Sequence, residues 1–99
     1  MSVFRQWLAT REPEPPEAVK VGLEVETIGA TEAGELVGVL ATAGRSRLDQ
    51  ARANLGRVRA SAFHLLAADA LVTYACEAAL EADDPESALK AVVEVSVGP

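Results

Sequence analysis

Apolar residues recur at helical spacing through most of the chain. After Thr31, a predicted N-cap, Leu36, Leu40, Ala43, Leu48, Ala51 and Leu55 follow one another at intervals close to one helical turn. Gly44 and Gly56 interrupt this pattern, and glycine inside a helix costs about 1 kcal/mol relative to alanine. We therefore expect a break or kink at Gly44 and a pause at Gly56.

The longest apolar segment runs from Arg57 to Ala82 and contains no glycine or proline. It predicts a long central helix, apolar on nearly every side, as is typical of the core of a bundle or dimer. His64, Asp69 and Glu77 interrupt it, and a charge at bilayer depth costs a few kcal/mol or more. We interpret it as a buried core helix rather than a membrane span.

Three shorter patterns account for the other segments of the chain, which we predict to form one domain over residues 1–99. Phe4, Trp7 and Leu8 predict a short amphipathic first helix within residues 2–11, packed on the bundle. Prolines make residues 12–16 a stiff connector to a bundle over residues 17–97. Asp84 and Pro85 have the residue types of an N-cap and a first helical position, so they predict the start of a last helix.

Two segments have ambiguous patterns. Apolar and polar residues alternate over Val19–Ile28 and over Val92–Val97, as they do in half-buried strands. Pro16 and Glu17 suit the first turn of a helix, so we predict a helix for the first segment. The second segment stays ambiguous by its own pattern, and we predict an all-α bundle of four to five helices. If both segments were strands, they could pair and the fold would be α+β.

Composition and charge indicate in which cellular compartment this domain is expected. The 99 residues are 49% hydrophobic, and 9 Lys and Arg against 15 Asp and Glu give a net charge of −6. A single cysteine, Cys76, excludes an intramolecular disulfide and a Cys-x-x-Cys motif, and the N-terminus lacks the apolar region of a signal peptide. We expect a cytoplasmic protein, and its frequent Ala and Arg suggest a bacterium with a GC-rich genome.

The charges are unevenly distributed. Residues 12–35 carry seven glutamates and one lysine, whereas residues 45–59, here called the arginine segment, carry five arginines and one aspartate. On a continuous helix Arg45, Arg52 and Arg59 would share one face, and their guanidinium groups suit phosphate or carboxylate. The net charge and the lack of interleaved aromatic residues argue against nucleic acid. We expect these arginines to pair with the acidic ends of the protein or with a second copy.

Asp69 and His64 are the two central-helix residues that most need partners. A buried carboxylate must be paired or protonated, so Asp69 either meets an arginine of the arginine segment, which we favour, or faces water. His64 is the only histidine, and acidic helical domains of this size include the histidine phosphotransfer modules, which this chain resembles in size and charge. The local sequence His64-Leu65-Leu66-Ala67-Ala68 lacks the Lys and Gly of their His-x-Leu-Lys-Gly pattern.

A second resemblance covers about an eighth of the chain. The sequence from Leu66 to Glu77 is similar to a helix of the trans-prenyl diphosphate synthases, which carry a Leu-x-Gly-Asp-x-Leu-Leu pattern. The catalytic Asp-Asp-x-x-Asp motifs of that family are missing, and Asp83-Asp84-Pro85 is not one of them. We interpret the similarity as a shared Ala- and Leu-rich helix composition.

The sequence contains no recognisable nucleophile–base pair, metal-ligand cluster or Gly-rich phosphate loop. We therefore predict a non-enzymatic module for protein interaction or homo-oligomerisation, with no cofactor, metal, nucleic acid or membrane as partner. The alternative is a small anion-binding or histidine-phosphotransfer-like domain. Its candidate binding residues are Arg45, Arg52, Arg59 and His64.

Overall fold

The computed structural model describes residues 2–27, 30 and 32–98, with Ala33 described by its backbone alone. Two short 3-10 turns, Val25–Thr27 and Ala33–Glu35, accompany five α-helices. These helices are α1 (Val3–Leu8), α2 (Glu17–Glu24), α3 (Leu36–Ala53), α4 (Val58–Leu80) and α5 (Pro85–Val97). The described residues form no strand, so the predicted all-α bundle is confirmed.

Both ambiguous segments are helical as far as they are described. Residues 19–27 continue α2 and its 3-10 turn, Ile28 lies outside the described residues, and residues 92–97 belong to α5. In α5, Val92 is buried and Val95 is partly buried against the core, whereas Val93 and Val97 are exposed. This spacing of three residues between inward-facing valines is helical, so the strand alternative is wrong.

The helix ends follow from local hydrogen bonds. The Ser2 hydroxyl accepts a hydrogen bond from the Arg5 amide at 3.1 Å, and the predicted cap at Asp84 is confirmed, since its carboxylate accepts from the Ser87 amide at 3.3 Å. α1 is shorter than the predicted residues 2–11, because its last turn tightens where the Thr10 amide donates to the Trp7 carbonyl.

The predicted kink at Gly44 is wrong, because α3 continues through this residue without interruption. Glycine is needed there for packing, since its missing side chain lets α4 approach at Leu71 and Val72. The predicted pause at Gly56 is confirmed, because residues 54–56 form the turn between α3 and α4. The predicted N-cap at Thr31 lies outside the described residues.

The core lies at one end of the antiparallel α3–α4 hairpin. Phe4 and Leu8 of α1 are buried there, and Phe4, Trp7 and Tyr74 form an aromatic cluster with ring centroids 5.8 to 6.5 Å apart. The predicted packing of the first helix is therefore confirmed. The other large side chains that are fully buried in this core are Leu36, Leu40, Leu71 and Val92.

α4 is a core helix over only part of its length, whereas the prediction treated the whole segment as a buried core helix. Its C-terminal half packs in the core, but Val58, Phe63, Leu65 and Leu66 in its N-terminal half are exposed. α5 ends beside Arg45 in the middle of α3, and the buried residues of α1 belong to the core at the opposite end. We call the hairpin beyond that point, residues 45–66, the arm; α2 and its 3-10 turn border it on one side.

The length and apolar composition of α4 would also allow it to cross a membrane. The buried apolar residues of α4 all lie from position 68 onward: Ala68, Leu71, Ala75, Ala78 and Ala79.

Candidate interaction surface

The structure separates the three arginines that a continuous helix would have aligned. α3 ends at Ala53 and α4 begins at Val58, so Arg45 and Arg52 lie on one helix and Arg59 on the next. The break at Gly56 therefore removes the shared face on which the predicted anion site depended. Each of these arginines has a different environment.

Arg45 stabilises the C-terminal end of α5. Its guanidinium donates hydrogen bonds to the carbonyl oxygens of Val95, at 3.2 Å, and of Gly98. Its Nε also donates a hydrogen bond to the Asp49 carboxylate, one turn along α3, at 3.1 Å. A cation at this position compensates the unpaired carbonyl groups and the negative end of the helix dipole. Arg45 thereby ties α5 to α3.

Arg52 and Arg59 are exposed. The side chain of Arg52 is 65% exposed, and its guanidinium reaches Asp49 only at 3.9 Å. Arg59 lies beside Arg57, Phe63 and His64 around a shallow, open depression at the start of α4. The structure therefore brings Arg59 and His64 together and leaves Arg45 and Arg52 elsewhere.

His64 is held by Arg47, which is not among the arginines predicted to form the anion site. The Arg47 guanidinium donates to His64 Nδ1 at 2.9 Å, and its Nε forms an ion pair with Glu26. Since a guanidinium can only donate, His64 Nδ1 is the acceptor in this contact. The Phe63 ring contacts His64 edge-on and lies 5.7 Å from the Arg47 guanidinium carbon.

The apolar pattern of α3 already indicates that Arg47 lies on the inner side of this helix. Leu40, Gly44, Arg47 and Ala51 are spaced by four, three and four residues, so the arginine lies on the buried stripe of α3. Its partner Glu26 is only 16% exposed, and Glu26 Oε2 has no hydrogen-bond partner among the described residues. An arginine at a core position of a helix therefore indicated a partly buried ion pair.

Asp69 does not meet the arginine segment, so the favoured prediction is wrong and the alternative, that it faces water, is correct. Its side chain is exposed, and no ion pair joins it to Arg45, Arg47, Arg52, Arg57 or Arg59 among the described residues. Arg45 and Arg47 are occupied by the contacts described above. Because its carboxylate is exposed to water, Asp69 needs no cationic partner within one chain.

One side of α4 presents a continuous exposed surface. We call it the outer α4 face, and its side chains are exposed except Ala70, which is partly exposed. Phe63 is 62% exposed and Leu66 is 71% exposed, which are high values for large apolar side chains. The residues of the outer α4 face are Arg59, Ala62, Phe63, Leu66, Asp69, Ala70 and Thr73.

An apolar groove of about 340 Å³ borders the outer α4 face. It separates α4 from α2 and shares Phe63, Leu66 and Ala70 with the outer α4 face. The α2 side of the groove is formed by Val19, Gly22 and Leu23. The exposed apolar surface therefore extends from the arm onto α2.

The opposite end of α4 carries a polar network around Trp7. The Trp7 indole N–H donates to Glu81 at 2.7 Å, and Arg11 stacks on the indole ring and forms ion pairs with Glu81 and Glu77. The hydrogen bond from Arg11, followed by that from Trp7, lowers the pKa of Glu81. This network fastens the segment after α1 to the end of α4.

Comparisons of the chain with models of protein families, with curated proteins and with solved structures gave no match. Within the described residues, no three His, Cys, Asp or Glu side chains are grouped so that they could hold a metal ion. Cys76 is partly buried against the core.

Proposed function

We propose that this chain is a small helical interaction module that acts by self-association rather than by catalysis. The observation that supports it is the apolar surface on the arm, where Phe63 and Leu66 are largely exposed. Large contiguous apolar patches on small domains mark interaction sites. A bacterial cytoplasm is the proposed location.

The accessible surface area supports the same proposal. The chain exposes 6148 Å², whereas a folded monomer of this mass is expected to expose about 5,400 Å². The excess of about 750 Å² means that the chain is less compact than an average monomer of its mass, so it has surface available to a partner.

Sedimentation equilibrium of the purified protein over a wide concentration range tests this proposal. We expect an assembly of two 10.4 kDa chains that dissociates on dilution. A single species with the mass of one chain at every concentration would contradict it.

An anion-binding function is the alternative proposal, and it is supported by the grouping of Arg57, Arg59 and His64 around one depression. Inorganic pyrophosphate should then raise the melting temperature of the wild-type protein. The variant Arg59→Ala should lose this effect, while Arg52→Ala, which lies away from the depression, should keep it. An unchanged melting temperature of the wild-type protein would exclude the alternative.

A further inference from the structure

We infer that the outer α4 face binds the same face of a second copy of this chain, with the two α4 helices antiparallel and Leu66 close to the two-fold axis. This inference rests on the proposed self-association and specifies its surface and geometry. It follows from the distribution of apolar and charged residues along α4.

The apolar centre of the outer α4 face determines where the axis lies. Leu66 occupies the middle of the exposed surface, with Ala62 one turn before it and Ala70 one turn after it. In an antiparallel pair centred on Leu66, each Ala62 faces an Ala70 of the second copy. Small residues on both sides of a leucine let the two helices approach closely while the leucines fill the centre.

The charges determine the direction of the second helix. Arg57 and Arg59 lie at the start of α4 and form no ion pair among the described residues, whereas the next charge on the outer face, Asp69, lies beyond Leu66. A parallel pair would place Arg59 against Arg59 of the second copy. The antiparallel pair places Arg59 opposite Thr73 of the second copy, one turn from its Asp69.

The position of Asp69 favours a second copy of the chain over a lipid surface as the partner of the outer α4 face. The arginines and apolar side chains of the arm would suit an anionic membrane, but Asp69 lies one turn from Leu66 on the same face. A carboxylate facing hydrocarbon is unfavourable. In the antiparallel pair it lies within a turn of Arg59 of the second copy, so the charge that opposes membrane binding contributes to dimerisation.

The first test is Leu66→Glu, compared with Val93→Glu, which changes a similarly exposed side chain on α5. Leu66→Glu would bring two carboxylates together at the axis, so we expect at least a hundredfold weaker dimerisation, while the helix content of the monomer stays unchanged. Val93→Glu should leave the dimer intact. A dimer that persists in Leu66→Glu would overturn the inferred surface.

Charge exchange tests the antiparallel direction. Arg59→Asp alone should weaken the dimer about threefold to tenfold, the effect of two exposed ion pairs. The double variant R59D/D69R should restore it, because each reversed charge again lies near its opposite in the second copy. Equal weakening in the single and double variants would overturn the antiparallel arrangement.

Disulfide cross-linking tests the position of the axis. In a Cys76→Ala background, Leu66→Cys should form a disulfide-linked dimer on oxidation, because the two thiols meet at the axis. Val93→Cys should not. If the wild-type protein dimerises but only the Val93→Cys variant forms a cross-link, this inference is overturned and the proposed self-association remains. If the wild-type protein is a monomer at all concentrations, both are overturned.

Discussion

Gly44 of α3 lies so close to Val72 of α4 that a Cβ atom at position 44 would stand 2.8 Å from Val72 Cγ2. The same atom would be 3.4 Å from Leu71 Cβ and from the Val72 backbone nitrogen. The two longest helices of the domain therefore meet where one of them has no side chain.

Substitution Gly44→Ala should destabilise the protein. The new methyl group meets a β-branched side chain with little rotamer freedom, and overpacking of this kind costs about 1–3 kcal/mol. It also gains about 1 kcal/mol of helix propensity, so we expect a net loss of stability in thermal denaturation. Gly38→Ala is the control, because nothing lies within 4 Å of its Cβ position in the same helix. Gly38→Ala should raise the melting temperature, and an equal rise in Gly44→Ala would disprove the close contact.

Substitution Arg47→Ala should destabilise the protein through Glu26. This carboxylate is only 16% exposed and would lose its guanidinium partner. Leaving a partly buried acceptor unsatisfied costs about 1–3 kcal/mol, which urea denaturation can measure. The double variant E26Q/R47M should lose less stability than the sum of the single changes, because neither charge is then left alone. Additive losses would show that the two side chains do not interact.

Substitution Arg45→Ala should loosen the end of α5 without unfolding the core. The carbonyl oxygens of Val95 and Gly98 lose their donor, so amide hydrogen exchange should accelerate over residues 94–98. Arg52→Ala is the control, because this side chain is 65% exposed and makes one long ion pair. Similar exchange profiles for both variants would contradict the role of Arg45.

Acidification should weaken the attachment of α1. The Arg11 and Trp7 hydrogen bonds hold the pKa of Glu81 below its ordinary value of 4.5. This contribution to stability is present above that value and is lost as the pH falls through the lowered pKa. Fluorescence of Trp7, the only tryptophan, should report the change.

Glu81→Gln serves as the comparison for this pH dependence. It should show a shallower decline in melting temperature below pH 4.5, the ordinary pKa of the carboxyl group it lacks. Glu24 and Asp84 also have lowered pKa values, through Ser2 and Ser87 respectively, so some acid sensitivity should persist. Identical pH profiles for the variant and the wild-type protein would exclude Glu81 as a contributor.

The sequence predicted the helices well because their signals are local. The cap at Asp84 and the pause at Gly56 depend on residues within one turn. The role of Gly44 could not be predicted, because it depends on which helix lies opposite. Likewise, the prediction of a buried core helix treated apolar composition as burial, whereas α5 ends beside the middle of α3 and Leu66 stays exposed.

The candidate site was predicted less completely. Grouping the arginines by sequence spacing placed Arg45, Arg52 and Arg59 together only if α3 continued through Gly56. The partner of His64 is Arg47, and that contact required the antiparallel return of α4 alongside α3. Spacing of seven residues is informative only within one helix, and the turn at residues 54–56 ended that helix.

The hydrogen bond between Trp7 and Glu81 joins residues 74 positions apart. The α3–α4 hairpin, in contrast, closes across a turn of only a few residues. Closing a short loop costs less entropy than closing a long one, and local contacts form faster. We therefore expect the hairpin to form early in folding and α1, the first helix in the chain, to be the last to join the core.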